Sequence, residues 1–369
     1  MLYKEKRFLL ARAVNRGKNN MRKEIENELG TENIEKRVMK KPSAAIAKVE
    51  AALVNGAIEY CESADYQHII IPHMTRATGA CENFSTLFST DLFGTTAYLN
   101  QTGQLMLEAF VHEFEKTYCF GPSFRKENKA DARHLIEFPL FEIEVANLDI
   151  KGLQKEVSNI FGSMMKKAET NARSELEYLT GAKDLGDLKP PYKSITYRQA
   201  ISQLVEYDLK FGDDLKSDHE QKLVQNNDGK PLFITHYPKE IKFFNMKVNK
   251  YDDTVVNSMD LLMPYSGESV GAAEREENHE NLKKRLESSD MLRLLKNSIS
   301  LEKGFEYAKP NDLHSEAMKR FDWYMKIIGA HPIIHAGCGI GINRVTQAVL
   351  GTEDIRYATT FPLNRETLF

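Results

Sequence analysis

Residues 124–146 have the sequence FRKENKADARHLIEFPLFEIEVA, and from Leu135 onward apolar and polar positions alternate. Alternation with a period of two is typical of a β-strand with one apolar and one polar face. The overlapping segment TYCFGPSFRKE, residues 117–127, also predicts a strand. We therefore predict an antiparallel strand–loop–strand hairpin, with Arg133 and His134 in its polar loop.

The polar face of this hairpin combines a cation, an aromatic ring and carboxylates. Arg125 and Glu127 point the same way on the first strand, and Phe138, Glu142 and Glu144 follow at even spacing on the second. An arginine can hold a phosphate, an aromatic face can stack on a purine, and a carboxylate can accept hydrogen bonds from an amino group. For a hairpin taken alone, a solvated sheet face stabilised by salt bridges is the better interpretation.

The composition excludes several classes of protein. The chain has 369 residues, a net charge of −3 and 41% hydrophobic residues, which suits one large or two ordinary domains. No apolar run reaches the roughly 18 residues of a transmembrane helix. The charged N-terminal segment lacks the apolar core of a signal peptide, and the scattered cysteines form no CxxC pair. We therefore expect a cytoplasmic protein that does not bind membranes.

Strand and helix signals follow one another without regular βαβ units. Amphipathic helices are predicted for residues 44–64, 103–114 and 150–179, the first with Ser43 as a possible cap. Short strands are predicted at residues 66–72, 232–238, 242–249 and 254–264. This order favours an α+β fold, with a central antiparallel sheet flanked by helices.

The block HPIIHAGCGIGINRVTQAVLG, residues 331–351, predicts a strand, a glycine-rich turn and a helix. Glycines let a backbone approach a phosphate closely, although close packing of a strand on a helix explains them equally well. Arg344, at the start of the helix, is placed to pair with a phosphate. A dinucleotide-binding fold is not expected, because too little chain follows for the required βαβ unit.

A third block, SMDLLMPYSGESVGAAERE, covers residues 258–276. Asp260 and Glu268 could bind one Mg²⁺, because magnesium commonly takes one or two carboxylates together with phosphate oxygens. Arg275 could hold a carboxylate or a carboxamide. Taken alone, the block is better explained by ordinary surface charge.

Together and in this order, these three blocks resemble the signature motifs of class II aminoacyl-tRNA synthetases. The similarity is greatest to the asparaginyl enzymes of the aspartate/asparagine/lysine subgroup, and CENFSTLFSTDLFGTTAYLNQTGQLMLEAF, residues 81–110, resembles their substrate loop and the segment after it. The resemblance implies the class II catalytic fold over residues 43–369. Residues 1–42 are expected to be a charged helical extension, too short for the β-barrel that grips the anticodon in asparaginyl enzymes.

The resemblance also implies a role for each site residue. The implied ATP contacts are Arg125 on the α-phosphate, Glu127 and Phe138 on the adenine, Arg133 and His134 on the outer phosphates, and Gly341 and Arg344 at the γ-phosphate. The implied amino-acid contacts are Glu82, Gln104 and Glu142 on the α-amino group and Arg275 on the side chain. Asp260 and Glu268 would hold Mg²⁺, and Arg125, Glu268 and Arg344 would be catalytic. Pro72 would lie at a homodimer interface.

Several positions depart from the family pattern. Asn343 replaces an acidic residue before Arg344, and Ala273-Glu274 replaces a hydroxyl and an amide before Arg275. We expect the added Glu274 carboxylate to weaken the hold of Arg275 on an anionic substrate. Leu107 stands where aspartyl enzymes carry a lysine, which favours a neutral side chain such as that of asparagine.

Three functions remain compatible with these observations. The first hypothesis is an AMP-forming amide ligase, like archaeal asparagine synthetase, that activates aspartate, asparagine or an analogue and passes the acyl group to ammonia or a small amine. The alternative is a free-standing enzyme that acylates a tRNA acceptor end without reading the anticodon. A non-catalytic regulator ranks last, because it predicts loss of Arg125 or Glu268 and both are present.

Overall fold

The computed structural model describes residues 20–30, 33–76, 86–182, 184–303 and 310–367. Its strands are β1 (Gln67–His68), β2 (Met74–Thr75), β3 (Ser89–Leu92), β4 (Thr95–Leu99), β5 (Lys116–Phe124), β6 (Glu137–Ala146), β7 (Lys193–Thr196), β8 (Leu232–Thr235), β9 (Ser258–Met263), β10 (Gly267–Glu274) and β11 (His335–Gly341). Eight of them form one sheet in the order β1-β5-β6-β11-β10-β9-β8-β7, and β2-β4-β3 form a small second sheet. Only the outer pairs β1–β5 and β7–β8 of the large sheet are parallel. The predicted α+β fold with a central, mostly antiparallel sheet is confirmed.

Helices cover the sheet and extend beyond it. They are α1 (residues 20–29), α2 (Ile34–Val38), α3 (Lys41–Ser63), α4 (Gln104–Glu108), α5 (Val111–Phe114), α6 (Ile150–Asn171), α7 (Arg173–Thr180), α8 (Tyr197–Ser202), α9 (Ser217–Asn226), α10 (His279–Ser288), α11 (Asp290–Lys303), α12 (Pro310–Lys319), α13 (Asp322–Ala330) and α14 (Ile342–Leu350). The main core contains apolar residues of α3, α6 and α14 and of the central strands. Gly56 lets α3 approach α6 closely, because a Cβ there would lie 2.6 Å from Met164 Cα.

The alternating strand β6 separates the apolar core from the polar face of the sheet. Phe141, Ile143 and Val145 are buried in the main core. Glu142 and Glu144 point to the other face, but they are also buried, being 5% and 1% exposed. The polar face of this strand therefore borders an enclosed space rather than open solvent.

Two predicted helices are interrupted. The helix predicted for residues 150–179 ends at Asn171 and restarts at Arg173, because Ala172 takes φ −128° and ψ 27°. The helix predicted for residues 103–114 is likewise divided into α4 and α5. Helix α3 starts at Lys41, so Ser43 lies inside it and does not cap it; the Ser43 hydroxyl instead donates to the Arg37 carbonyl.

Two predicted strands and one predicted turn also differ from the structure. The strand predicted for residues 66–72 is reduced to Gln67–His68. Residues 242–249 form only isolated bridges at Met246 and Val248. The glycine-rich segment is not a turn: Gly337, Gly339 and Gly341 lie within β11, and α14 follows directly.

The described part of the N-terminal segment packs on the C-terminal part of the fold through Arg37. This buried guanidinium donates to the Leu29 carbonyl at 2.7 Å and to the carbonyls of Arg356, Thr359 and Thr360 at 2.6, 2.9 and 3.2 Å. Carbonyl oxygens from the far end of the chain therefore satisfy a buried cation near its beginning.

Candidate active site

A cavity of about 270 Å³ lies on the polar face of the central strands. It is lined by the predicted site residues Gln104, Arg125, Glu127, Arg133, His134, Phe138, Glu142, Asp260, Glu268, Arg275, Gly341 and Arg344. Glu82 lies outside the described residues. The structure thus brings together, around one cavity, side chains that are spread over more than half of the sequence.

The hairpin β5–β6 forms one wall of this cavity. The Arg125 guanidinium lies 5.4 Å from the centre of the Phe138 ring, directly after β5 ends. The Arg125 amide donates to the Ile136 carbonyl at 2.8 Å, which fixes the start of the hairpin loop. Arg125 Nε is buried and has no hydrogen-bond partner among the described residues. A buried unpaired donor is costly, and an anionic ligand in the cavity could satisfy it.

A concentration of positive charge marks a second region of the cavity. Arg344 Nη1 donates to the Glu268 carbonyl at 2.8 Å, and Arg344 Nη2 donates to the Arg133 carbonyl at 3.2 Å. Burial, together with the nearby charge of Arg133, lowers the pKa of Arg344. The nearby carboxylates of Glu220 and Glu268 offset part of the repulsion between the two arginines, and a polyphosphate bound between them would offset more of it.

Sequence reasoning missed Glu220, which holds one of these arginines. Its Oε2 lies 2.5 Å from Arg133 Nη2 and accepts a hydrogen bond from the Glu268 amide at 3.3 Å. Glu220 lies on α9, and no local motif in SDHEQKLVQN connects it with the hairpin. Only the packing of α9 against β9 and β10 reveals this contact.

His134 lies at the rim of the cavity. Asp131 accepts hydrogen bonds from the Arg133 and His134 amides, at 2.8 and 2.9 Å, and its carboxylate contacts His134 Nδ1 at 2.8 Å. One aspartate therefore shapes this part of the hairpin loop and orients the imidazole.

Asp260 and Glu268 converge above the sheet. A Cβ added at Gly271 would lie 3.2 Å from Glu268 Oε1 and 3.9 Å from Asp260 Oδ1. Among the described residues there is no group of three or more histidine, cysteine or acidic side chains able to hold a metal without other ligands. Two carboxylates are nevertheless what Mg²⁺ takes when phosphate oxygens and water complete its shell, so the pair fits this ion. Lys242, which was not predicted, lies 3.0 Å from Asp260 and supplies a positive charge there.

Glu142 and Gln104 lie at the next region of the cavity. Glu142 accepts hydrogen bonds from the Gly103 amide at 2.7 Å and from the Thr102 hydroxyl. Burial raises the pKa of Glu142. Gln104 Nε2 donates to Glu108 at 2.6 Å, which leaves the Gln104 carbonyl oxygen to accept a hydrogen bond from an amino group.

Arg275 is paired with Glu144, which the sequence placed on the polar face of the hairpin without an individual role. Arg275 Nη2 lies 2.6 Å and Nε lies 3.0 Å from Glu144 Oε1. Burial raises the pKa of Glu144 to about 7 in spite of this charge. A Cβ at Gly337 would lie 2.1 Å from Glu144 Cδ, so the glycine in β11 leaves room for the carboxylate. The even spacing of Glu142 and Glu144 was the available signal, because both must face the same side of β6.

Two of the three departures from the family pattern do not line the cavity. Glu274 accepts hydrogen bonds from the Ile150 amide and from Asn257, both at 2.7 Å, so its carboxylate supports the start of α6 and does not face the cavity. The prediction that Glu274 weakens Arg275 is therefore wrong; Glu144 occupies that position. Leu107 is buried with Ile71 and Cys119 and does not line the cavity. Asn343 does line the cavity, and its amide donates to Glu50 on α3 at 2.7 Å.

Comparison with known proteins identifies the class. The family model of class II tRNA synthetases of the D, K and N type matches residues 28–365. The chain is also 33% identical over 332 residues to the asparagine–tRNA ligase of Thermococcus gammatolerans, covering 88% of this chain and 70% of that protein. The chain therefore belongs to the class II tRNA synthetase family of the D, K and N type.

Two further comparisons lie in the same subgroup. The asparagine–tRNA ligase of Ureaplasma urealyticum is 32% identical over 339 residues, covering 86% of this chain and 69% of that protein. The crystal structure of asparaginyl-tRNA synthetase from Pyrococcus horikoshii complexed with asparaginyl-adenylate superposes with a TM-score of 0.78 and 30% identity, covering 91% of this chain and 72% of that chain. These matches confirm the class II catalytic fold and its similarity to asparaginyl enzymes.

Membership of this family defines the general chemistry. The chain is an AMP-forming ligase of the type that makes aminoacyl-adenylates, and class II synthetases use ATP for this step. No helix in the described part of the chain has the length and apolar character needed to cross a bilayer.

Proposed function

We propose that the protein activates asparagine with ATP and transfers the asparaginyl group to the acceptor end of a tRNA. The observation that carries this proposal is the Arg275–Glu144 pair, 2.6 Å apart, at the cavity. A carboxamide needs one donor for its oxygen and one acceptor for its nitrogen, and an arginine beside a glutamate supplies both. The named relatives, which are asparagine–tRNA ligases, support the same substrate.

The remaining residues suit the activation step. The α-carboxylate of asparagine would attack the α-phosphorus of ATP, forming a phosphorus–oxygen bond while the bond to pyrophosphate breaks. Arg125 would stabilise charge at the α-phosphate, and Arg133 and Arg344 would neutralise the leaving pyrophosphate. Glu142 and Gln104 would hold the α-amino group so that the carboxylate approaches in line.

The nucleotide and the metal would contact the other walls of the cavity. Phe138 would stack on the adenine, Glu127 would accept from its amino group, and His134 would reach an outer phosphate from the rim. Asp260 and Glu268 would hold Mg²⁺, which supplies further charge neutralisation on the phosphates.

This arrangement favours a tRNA acceptor over ammonia. Transfer to ammonia would yield asparagine only if aspartate were activated at its side-chain carboxylate. Its α-carboxylate would then add another anion beside Glu144 and Glu108, which already face Arg275 at 2.6 and 3.9 Å. Like charges gathered around one buried cation disfavour such a substrate. In the second half-reaction a ribose hydroxyl of the tRNA would attack the acyl carbonyl and release AMP.

We also infer that the protein works as a homodimer, as expected from the family. Ile70, Met74 and Phe120 are 91%, 46% and 38% exposed and lie on or beside the edge strands β1 and β2 and on β5. A cluster of exposed apolar side chains at a sheet edge is suited to a partner surface.

The test is ATP–pyrophosphate exchange without tRNA, with asparagine and aspartate measured side by side. The proposal predicts exchange with asparagine, followed by asparagine-dependent acylation of tRNA. Exchange with aspartate alone, with ammonia as the productive acceptor, would contradict the proposal and restore the amide-ligase hypothesis.

A further inference from the structure

A buried carboxylate behind the cavity contacts both Arg275, which would bind the substrate side chain, and Gln104, which would bind the α-amino group. Glu108, on α4, is 1% exposed and does not line the cavity. Four separate segments donate hydrogen bonds to it: Gln104 Nε2 at 2.6 Å, Asn245 Nδ2 at 2.8 Å, the Tyr324 hydroxyl at 2.7 Å and His335 Nε2 at 3.1 Å. This number of donors is typical of a carboxylate that stays ionised in the protein interior.

The same carboxylate also faces Arg275. Arg275 Nε lies 3.9 Å from Glu108 Oε1, on top of its direct pairing with Glu144. One guanidinium thus has two anionic neighbours, and the imidazole of His335 is the cationic partner on the far side of Glu108. Burial alone would lower the pKa of His335, but its hydrogen bond to Glu108 and the charge of that residue raise it. The four groups together come close to electrical neutrality before a substrate enters.

We propose that Glu108 is a positioning residue that sets the preference for a neutral amino-acid side chain. It offsets the charge of Arg275 from behind, so that the arginine can donate hydrogen bonds without attracting a carboxylate. It also orients the Gln104 amide, so that the Gln104 oxygen faces the α-amino group. This inference rests on the proposed function and extends it to a residue that does not touch the substrate.

A charge argument explains why this position matters. Aspartate and asparagine have nearly the same shape, so a site can distinguish them only by hydrogen bonding and by charge. An aspartate carboxylate would be the third anion around one buried guanidinium, whereas the carboxamide of asparagine brings no charge. Electrostatic repulsion of this kind acts through the pocket, and it depends on the anion at Glu108 as well as on Glu144.

The experiment compares the wild-type protein with Glu108→Gln in ATP–pyrophosphate exchange. The amide has the same shape and can be accommodated, because the Tyr324 hydroxyl and a neutral His335 can each accept a hydrogen bond. We expect the ratio of kcat/KM for asparagine to that for aspartate to fall about tenfold, through the amino-acid KM. The KM for ATP should change by less than about twofold.

Two further variants separate charge from structure. Tyr324→Phe removes one hydrogen bond to the same carboxylate but no charge, and it should leave the ratio within about twofold. His335→Gln removes the opposing cation, and it should raise the preference for asparagine. Opposite changes at Glu108 and His335 are what a charge effect predicts, whereas a structural role would lower the activity with both amino acids together.

The outcomes are distinguishable from those of the proposed function. An unchanged ratio in both Glu108→Gln and His335→Gln would overturn the role of Glu108 while leaving asparagine activation intact. If Glu108→Gln fails to fold, His335→Gln alone decides, and an unchanged ratio there overturns the inference. A wild-type protein that prefers aspartate would overturn both proposals at once.

Discussion

At the scale of single residues, Arg275 depends on partners from distant parts of the chain. Glu144 lies 131 positions before it in sequence, and Glu108 lies on a different helix. Buried ion pairs contribute little net stability, but removing one member leaves the other charge without compensation. Substitutions at this site therefore affect the fold and the activity together, and experiments must measure both.

The first prediction concerns Arg275→Leu. We expect the KM for asparagine to rise at least about 100-fold while the KM for ATP changes little, because the side-chain donor is lost. The variant should also unfold more easily, by about 3 kcal/mol, because two buried carboxylates lose their cation. Exchange kinetics measure the first effect and urea unfolding the second. A change confined to the KM for ATP would place the side-chain contact elsewhere.

The second prediction concerns Arg125→Ala. Its guanidinium lies against Phe138 and has an unpaired buried Nε, so we expect the fold to survive its removal. Adenylate formation should fall by about 1000-fold, because the cation stabilises charge that develops in the transition state. Arg293→Ala is the matched control, since Arg293 is an exposed arginine paired with Asp290 on α11. Full exchange activity in Arg125→Ala would refute its placement on the α-phosphate.

The local sequence predicted residues of the candidate site only where a motif contained them. The hairpin and the segment around Glu268 carry their own pattern, so their side chains could be assigned to one site in advance. Glu220, Lys242 and Glu108 carry no such pattern, because each reaches the site from another element by packing. Contacts that tertiary structure creates are not encoded at any fixed spacing along the chain.

At the scale of helices and strands, the hydrophobic period predicted the type of element better than its limits. The helix break at Ala172 has neither glycine nor proline to mark it, so the period continues through it. Glycines in β11 suggested a turn, although Gly337 is there to make room for the Glu144 side chain. A glycine selected for the space that it leaves cannot be distinguished by composition from one selected for its backbone freedom.

Helices α3 and α14 are joined by Glu50 and Asn343, which gives the third prediction. Burial raises the pKa of Glu50 from 4.5 to about 7, so the folded state binds an extra proton between these values. Stability contributed by this group is full below pH 4.5 and is lost as the pH rises to about 7. Glu50→Gln should abolish this loss, because the amide oxygen can still accept from Asn343.

The measurement is urea unfolding of both proteins from pH 5 to pH 8. We expect Glu50→Gln to be more stable than the wild type by on the order of 2 kcal/mol at pH 8, with the difference shrinking toward pH 5. Glu144 contributes a slope of the same sign in both proteins, so the difference between the two curves isolates Glu50. Parallel curves would show that Glu50 is ionised in the folded state at every pH tested.

At the scale of the whole molecule, the large sheet has two different edges. One edge ends at β1, beside the exposed Ile70, and the other ends at β7, which α8 covers. The antiparallel arrangement was predictable from the order of strand and helix signals. The exposed apolar cluster was not, because an apolar residue in sequence gives no sign of whether its partner is in the same chain or in another one.

The fourth prediction is that Ile70→Glu disrupts the homodimer. A charge at the centre of an apolar contact is costly to bury, so this variant should sediment as a monomer at concentrations where the wild type is a dimer. Val205→Glu, at a 77% exposed position near the opposite edge of the sheet, is the control and should remain dimeric. A monomeric wild type would contradict the inferred assembly.

The contacts of Arg37 have a consequence for synthesis of the chain on the ribosome. Three of the carbonyls that satisfy this guanidinium belong to residues made at least 319 positions after it. Strand β6 likewise pairs with β11 near the end of the matched region. The nascent chain therefore cannot complete its sheet until residues 335–341 have left the exit tunnel, and it cannot satisfy this cation until residues 356–360 have followed. A message cut short before that point would yield a chain with an incomplete core, exposed to degradation by quality control.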